Sequence, residues 1–159
     1  MTPAPRFSRG KMATTTTLRE VTYRLRRALE EDAAVVAGLI DRPEDLRQVS
    51  PRETFPLDGE TVRHWIRERV AGWVLEQRGE IVAYAELVPD PVKNGVFWIG
   101  HMMVQPSRRG LGLGRRTVVS LMRAAVEQLN ADEIAISAFD DNPAALACYL
   151  GCGLSLIHI

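Results

Sequence analysis

Val104-Gln105-Pro106-Ser107-Arg108-Arg109-Gly110-Leu111-Gly112-Leu113-Gly114-Arg115-Arg116 is the stretch on which the reading of this chain turns. Before it, residues 96–104 are apolar and strand-like. After it, Val118, Leu121, Met122, Ala125 and Leu129 recur at helical spacing over about 112–129. The stretch is therefore a strand-to-helix turn, where the first helical amides lack partners and the helix dipole is positive. Gly110, Gly112 and Gly114 remove the Cβ atoms that would hold a ligand away from those amides. Arg108, Arg109, Arg115 and Arg116 crowd the same end, where each cation opposes the dipole by about 0.3–1 kcal/mol. An anionic ligand offsets that cost, so the turn reads as a phosphate site. An ordinary glycine-rich turn with solvated arginines explains the glycines but not the arginines.

Two phosphate-binding classes fail on spacing. A Walker loop needs Gly-Lys-Ser/Thr, and Gly114 is followed by Arg115-Arg116-Thr117, which disfavours ATP or GTP hydrolysis. A dinucleotide fold needs G-x-G-x-x-G and a second βαβ half. Here the glycines run G-x-G-x-G, and too little chain follows for that half.

Working outward, the 159 residues suit one domain, which at this size buries roughly 70% of its unfolded surface. With 20 basic against 20 acidic side chains, the charge lacks the excess of a non-specific nucleic-acid binder. No apolar run approaches the roughly 18 residues of a membrane span. Residues 1–19 read as a disordered leader with no apolar stretch of a secretory signal, and Met12 serves equally well as a start. Cys148 and Cys152 are too few for a disulfide framework, which points to a reducing cytoplasm. They lack the His or acidic neighbours of a metal site, so buried thiols are expected and no metal.

The alternation of Val21, Tyr23 and Leu25 predicts a first strand, and Ala33, Val36, Ala37 and Ile40 a helix over about 31–41 with Asp32 near its start. Residues 42–57, with Pro43, Pro51 and Pro56, read as a loop. A helix follows at about 59–70, capped by Asp58. Strands at 73–76 and 80–88 flank Arg78-Gly79, and Asn94-Gly95 is a turn before the strand at 96–104. After the long helix come a strand at 134–139 and a helix at 142–150. The order β-α-α-β-β-β-α-β-α predicts an α/β fold, a mixed sheet with helices on it.

Arg109-Gly110-Leu111-Gly112-Leu113-Gly114 resembles the acetyl-CoA signature R/Q-x-x-G-x-G/A of the GNAT N-acetyltransferase family. Asn142-Pro143-Ala144-Ala145-Leu146-Ala147-Cys148-Tyr149, followed by Gly153, resembles its second motif, N-x-x-A-x-x-x-Y. A helix and a strand separate the two, as in the family, and the resemblance covers about 20–153.

The resemblance implies a mostly antiparallel GNAT-like sheet flanked by helices, and direct acyl transfer from acetyl-CoA to a primary amine through a tetrahedral intermediate. The amides of Arg109, Gly110, Leu111, Gly112, Leu113 and Gly114, with Arg115, would bind the coenzyme A diphosphate. Met102, Met103 and Val104 would offer edge backbone groups to the pantetheine arm, with the Met102 amide donating to the thioester carbonyl. Tyr149 would protonate the leaving thiolate, and Asn142 would contact the cofactor while capping its helix before Pro143.

Glu53, Phe55, His64 and Trp65 would line the acceptor side, where a small-molecule or peptide amine binds. Dimers are common in such folds, which keeps a homodimer open. A non-catalytic acyl-CoA-sensing module is the competing class.

A general base is needed, and the family's strand glutamate is not evident, Trp98 standing in a comparable position. Histidine is the side-chain type suited to general-base work near neutral pH, which makes His101 one candidate. Strand alternation turns it to the packed side unless a bulge intervenes. Glu86 on the preceding strand is a second candidate, and the role stays unassigned.

In the family two more strands follow the position of Gly153, whereas here only Leu154-Ser155-Leu156-Ile157-His158-Ile159 remains. That hexapeptide matches a translated transposase adaptor, so the reading is of a truncated domain with an artefactual tail and an uncovered edge on the strand at 134–139.

Overall fold

A computed structural model of the protein describes residues 22–155 apart from Val70. The expectations for the leader and for the last four residues of the terminal hexapeptide fall outside the described residues. In chain order the elements are β1 (Tyr23–Arg27), a 3₁₀ turn (Glu30–Asp32), α1 (Ala33–Ala37), α2 (Pro43–Val49) and α3 (Gly59–Arg69). There follow β2 (Gly72–Gln77), β3 (Glu80–Pro89), β4 (Val96–Val104), a 3₁₀ turn (Pro106–Arg108), α4 (Leu113–Leu129), β5 (Glu133–Ile136) and α5 (Pro143–Gly151).

The strands lie in sequence order, antiparallel from β1 to β4, with β5 parallel to β4. The mixed α/β sheet is thus as expected. The element order differs by one helix. Residues 43–49 form α2 rather than loop, because Pro43 sits in the first turn, where its fixed φ suits a helix and its missing N–H removes nothing. Leu46, 2% exposed, anchors that helix in the core. The first helical segment is shorter than the sequence pattern, since α1 ends against Gly38. Asp32 does not cap it by its side chain; its carboxylate pairs with Arg26 at 2.8 Å, and Arg26 also reaches Glu76 at 2.9 Å, tying β1 to β2. Asp58 does cap α3, its Oδ1 accepting from the Thr61 amide at 2.7 Å.

Alternation along the strands divides the core. Val74, Tyr84 and Met103 point to the face covered by α1, α2 and α3, where they meet Val36, Leu46, Val62 and Trp65. Trp73, Ala85, Leu87 and Ile99 point the other way, onto Val118, Leu121, Ala124 and Ala125 of α4. At about 25 cal/mol per Å² of apolar surface removed from water, these two layers are the main favourable term in folding. Gly72 permits one close approach. A Cβ there would stand 2.9 Å from the Tyr84 hydroxyl, so glycine leaves the ring its place across β2.

Candidate active site

The turn that opened the sequence reading is a cradle of backbone amides. Gly110 and Gly112 have φ of 77° and 78°, in the left-handed region that favours glycine, and Gly112 caps α4. An added Cβ at either would meet nothing within 4 Å, so the space outside the turn is open. Among the described residues, the amides of residues 110–115 donate to no backbone acceptor. They satisfy the requirement for an anion site at a helix N-terminus.

The arginines are less free than their crowding implies. Arg108 pairs with Glu80 at 2.8 Å, Arg109 with Asp45 at 2.9 Å, and Arg116 lies 4.3 Å from the Tyr23 ring centroid. The Arg109 amide also donates to Pro106, so this residue departs from the expectation that its amide joins the cradle. Among the described residues neither Arg115 nor Arg116 has an ion pair, and of these two only Arg116 meets an aromatic ring. Leu111 is exposed, whereas Leu113 is buried and offers only its backbone.

Beside this turn the sheet opens. Pairing of β4 with β5 stops at Ile99 opposite Ile136, where β5 ends while β4 runs on to Val104. A cavity of about 350 Å³ fills the gap, with Gly100, His101 and Met102 on one side and Ile136, Ser137 and Phe139 on the other. Tyr149 on α5 also lines it. Burial pushes the Tyr149 phenol up to about 12, with the Cys148 and Cys152 thiols adding to the shift. The hydroxyl therefore keeps its proton across the working range. Met102 joins the gap to the turn, its Cε standing 3.4 Å from where a Gly114 Cβ would lie. Met103 is buried in the core, and both it and Val104 pair with β3. Asn142 caps α5, its Oδ1 accepting from the Ala145 amide at 3.1 Å, while its Nδ2 faces Gln48 at 3.4 Å. The two thiols are half-buried and reduced.

A bulge reshapes β4 at this point. Tyr84 pairs with Met103 and Glu86 with Gly100, so one residue of β3, Ala85, opposes two of β4, His101 and Met102. His101 and Met102 have no register partner, and His101 takes φ of 45°. Phe97, Ile99 and Met102 stay on the α4 face, whereas His101 and Met103 turn to the face of α3. The bulge thus intervenes, and simple alternation places His101 on the wrong side. The sequence carries one signal of it, Gly100 inside a strand.

His101 stacks on Trp65 with centroids 4.0 Å apart and planes at 19°. Its Nδ1 lies 3.0 Å from Oε1 of Glu86, an ion-pair distance, with the N–H turned off the hydrogen-bond line. Glu86 is fully buried, and Tyr84 donates to the same Oε1 at 2.9 Å. A second cavity, of about 440 Å³, lies on this side, lined by Glu53, His64, Trp65 and His101 among others. Phe55, expected with them, does not line it. Among the described residues no group of three or more His, Cys, Asp or Glu side chains could hold a metal. No helix there is long and apolar enough to cross a membrane.

The family profile described as Acetyltransferase (GNAT) family matches residues 40–154. The chain belongs to the GNAT acetyltransferase family. Solved structures with this GNAT fold include an aminoglycoside acetyltransferase AAC(6')-Ib in complex with coenzyme A, 20% identical, with a TM-score of 0.67 and coverage of 83% of each chain. A spermidine N-acetyltransferase from Vibrio cholerae, solved with coenzyme A and spermine, is 19% identical with a TM-score of 0.66, covering 82% of this chain and 79% of that one. Salmonella typhimurium yncA, solved with its cofactor acetyl-CoA, is 17% identical with a TM-score of 0.68, covering 86% and 81%. No curated protein matches the chain. At these identities the structural likeness speaks for the GNAT fold.

Proposed function

We propose that this GNAT domain is an acetyl-CoA-dependent N-acetyltransferase that moves an acetyl group directly to a primary amine of a small molecule or peptide. One observation carries the reading. The gap between β4 and β5 has the glycine-rich amide cradle beside it and the protonated hydroxyl of Tyr149 on its wall. The residues fit the donor. The open amides of residues 110–115 and the Arg115 guanidinium would hold its diphosphate, and the unpaired edge of β4 at Met102, Met103 and Val104 its extended arm. Asn142, at the start of α5, would add a cofactor contact beside its capping role.

Acetyl-CoA supplies an acetyl group activated as a thioester. The amide of Met102, a residue that the bulge leaves without a register partner on β3, would polarise the thioester carbonyl. Tyr149 is the acid that hands its proton to the departing sulfur. A cytoplasmic setting keeps Cys148 and Cys152 as thiols.

Acetyl-CoA should stabilise the protein in a thermal melt, and coenzyme A should be released when a primary amine is added. Spermine, kanamycin and a peptide with a free amino terminus are the first acceptors to try. Absence of any acetyl-CoA stabilisation rejects the reading. Stabilisation without release across a broad amine panel returns the chain to the acyl-CoA-sensing class.

A further inference from the structure

We infer that His101 is the general base of this site and that buried Glu86 is its positioning residue. This rests on the acetyltransferase reading above and adds the group which receives the acceptor's proton. The first observation is where the bulge puts the ring. An extra residue in β4 turns His101 off the α4 face and into φ of 45°. A non-glycine residue enters that region only against steric strain, and such strain gathers at functional sites.

The second is position. His101 lines both cavities, the one in the β4–β5 gap and the one beneath α3. It therefore stands between the space assigned to the donor and the space left for an acceptor. The third is its support. Trp65 stacks on one face at 4.0 Å, Glu86 lies 3.0 Å from Nδ1, and the side chain keeps 14% exposure.

These contacts choose a tautomer. A carboxylate beside Nδ1 favours the proton there and leaves the lone pair on Nε2, the nitrogen on the far side of the ring from Glu86. The proton balance follows. An acceptor ammonium first loses one proton to solvent. As the nitrogen lone pair attacks, the N–C bond forms and the C–S bond of the thioester breaks. The remaining excess proton on nitrogen passes to Nε2 of His101, and Tyr149 gives its proton to the thiolate. Solvent then deprotonates the imidazolium and reprotonates the tyrosinate. During the step the imidazolium lies against the Glu86 carboxylate, whose Oε1 also accepts from the Tyr84 hydroxyl at 2.9 Å.

Other titratable groups face the ring's surroundings and enter its pH response. They are His64 and Glu68 from α3, Arg52 and Glu53 from the loop after α2, and Tyr149 from α5. Glu86 differs from them in being fully buried and within ion-pair distance.

The test has two arms on the full chain. Nitrogen NMR of histidine-labelled protein should show His101 protonated on Nδ1 when neutral, and in Glu86→Gln a mixture of tautomers. An Nε2–H tautomer in the unmodified protein overturns the assignment. In the kinetic arm, His101→Gln should lower turnover at neutral pH by roughly a hundredfold. It should regain rate steadily as the pH is raised, and keep its stabilisation by acetyl-CoA. Glu86→Gln should shift the acid limb of the rate profile while leaving that stabilisation intact.

Spermine, kanamycin and a free-amino-terminus peptide serve as acceptors, with concentrated methylamine where none of them turns over. An unchanged rate and profile in His101→Gln overturns the base. If that variant does not melt cooperatively, an unchanged profile in Glu86→Gln overturns the pair. Failure of the unmodified protein to bind acetyl-CoA is a different result, and it rejects the acetyltransferase reading itself.

Discussion

Gly112 shows how much a single residue carries here. Its φ of 78° lets the chain turn into α4 while the amides of residues 110–115 donate to no backbone acceptor among the described residues. Alanine at this position should cost about 1–2 kcal/mol of stability for the left-handed conformation. Because a methyl group meets nothing within 4 Å inside the protein, it would project toward the space reserved for the diphosphate. Gly112→Ala should therefore weaken acetyl-CoA binding more than it weakens folding, as calorimetry and urea melts on the same variant would show. Equal affinity in the two proteins would move the cofactor elsewhere.

Tyr149 gives a second prediction at this scale. Tyr149→Phe should lower turnover by roughly a hundredfold with little change in acetyl-CoA affinity, and an unaltered rate removes the acid. Because burial holds the phenol at about 12, no alkaline loss of rate below about pH 11 should trace to this residue.

At the scale of elements, the connection between β3 and β4 sets how the bulged strand is presented. Asp90 organises it, accepting from Trp98 Nε1 at 2.8 Å and from the amides of Lys93 and Val92 at 2.8 and 2.9 Å. The Trp98 hydrogen bond, followed by the two amides, holds the Asp90 carboxyl at about 2, below its usual 3.8. A depressed folded value means that the carboxylate stabilises the folded state above the usual value and loses that contribution as pH falls from 3.8 toward 2. Asp90→Asn should lower stability at neutral pH and flatten this part of the acid limb. Denaturant melts between pH 2 and pH 5 read it directly, and an equally steep decline in the variant contradicts it. Trp98 stood in the sequence as the occupant of a strand position comparable to the family's glutamate. Its indole instead serves this turn.

For the whole molecule, two helical layers clamp one sheet, and the site opens where pairing of the last two strands ends. A ligand bridging the α4 turn, β4 and α5 adds to the contacts these elements already make, such as Cys152 Sγ at 3.9 Å from the Arg115 carbonyl. At a hundredfold excess over Kd, acetyl-CoA should add about 2.7 kcal/mol. For a domain of this size that is a rise in Tm of roughly 5–10 °C. The same melt series, extended to coenzyme A alone, tests whether the acetyl group contributes to the grip.

The turn at α4 was legible in the chain because its physics is local. Glycines, a strand before and an amphipathic helix after are enough to free amides at a helix start, and the Asn142 cap before Pro143 is local in the same way. Within the expected loop at 42–57, residues 43–49 are helical for the opposite reason. Pro43 breaks helices in their interior but starts them at the first position, and only the buried seat of Leu46 decided which. The arginines looked free in the sequence because their acceptors, Asp45 and Glu80, are remote in the chain. The side on which His101 faces depended on one extra residue in a strand, visible beforehand only as Gly100. A period-two pattern reverses with a single inserted residue, so register, set by cross-strand pairing, had to decide it. Local geometry thus established a glycine-rich turn of unpartnered amides at the start of α4 and a capped final helix. Only the packed sheet brought His101, Glu86 and Trp65 together, because their contact is a property of strand pairing and helix seating rather than of chain order.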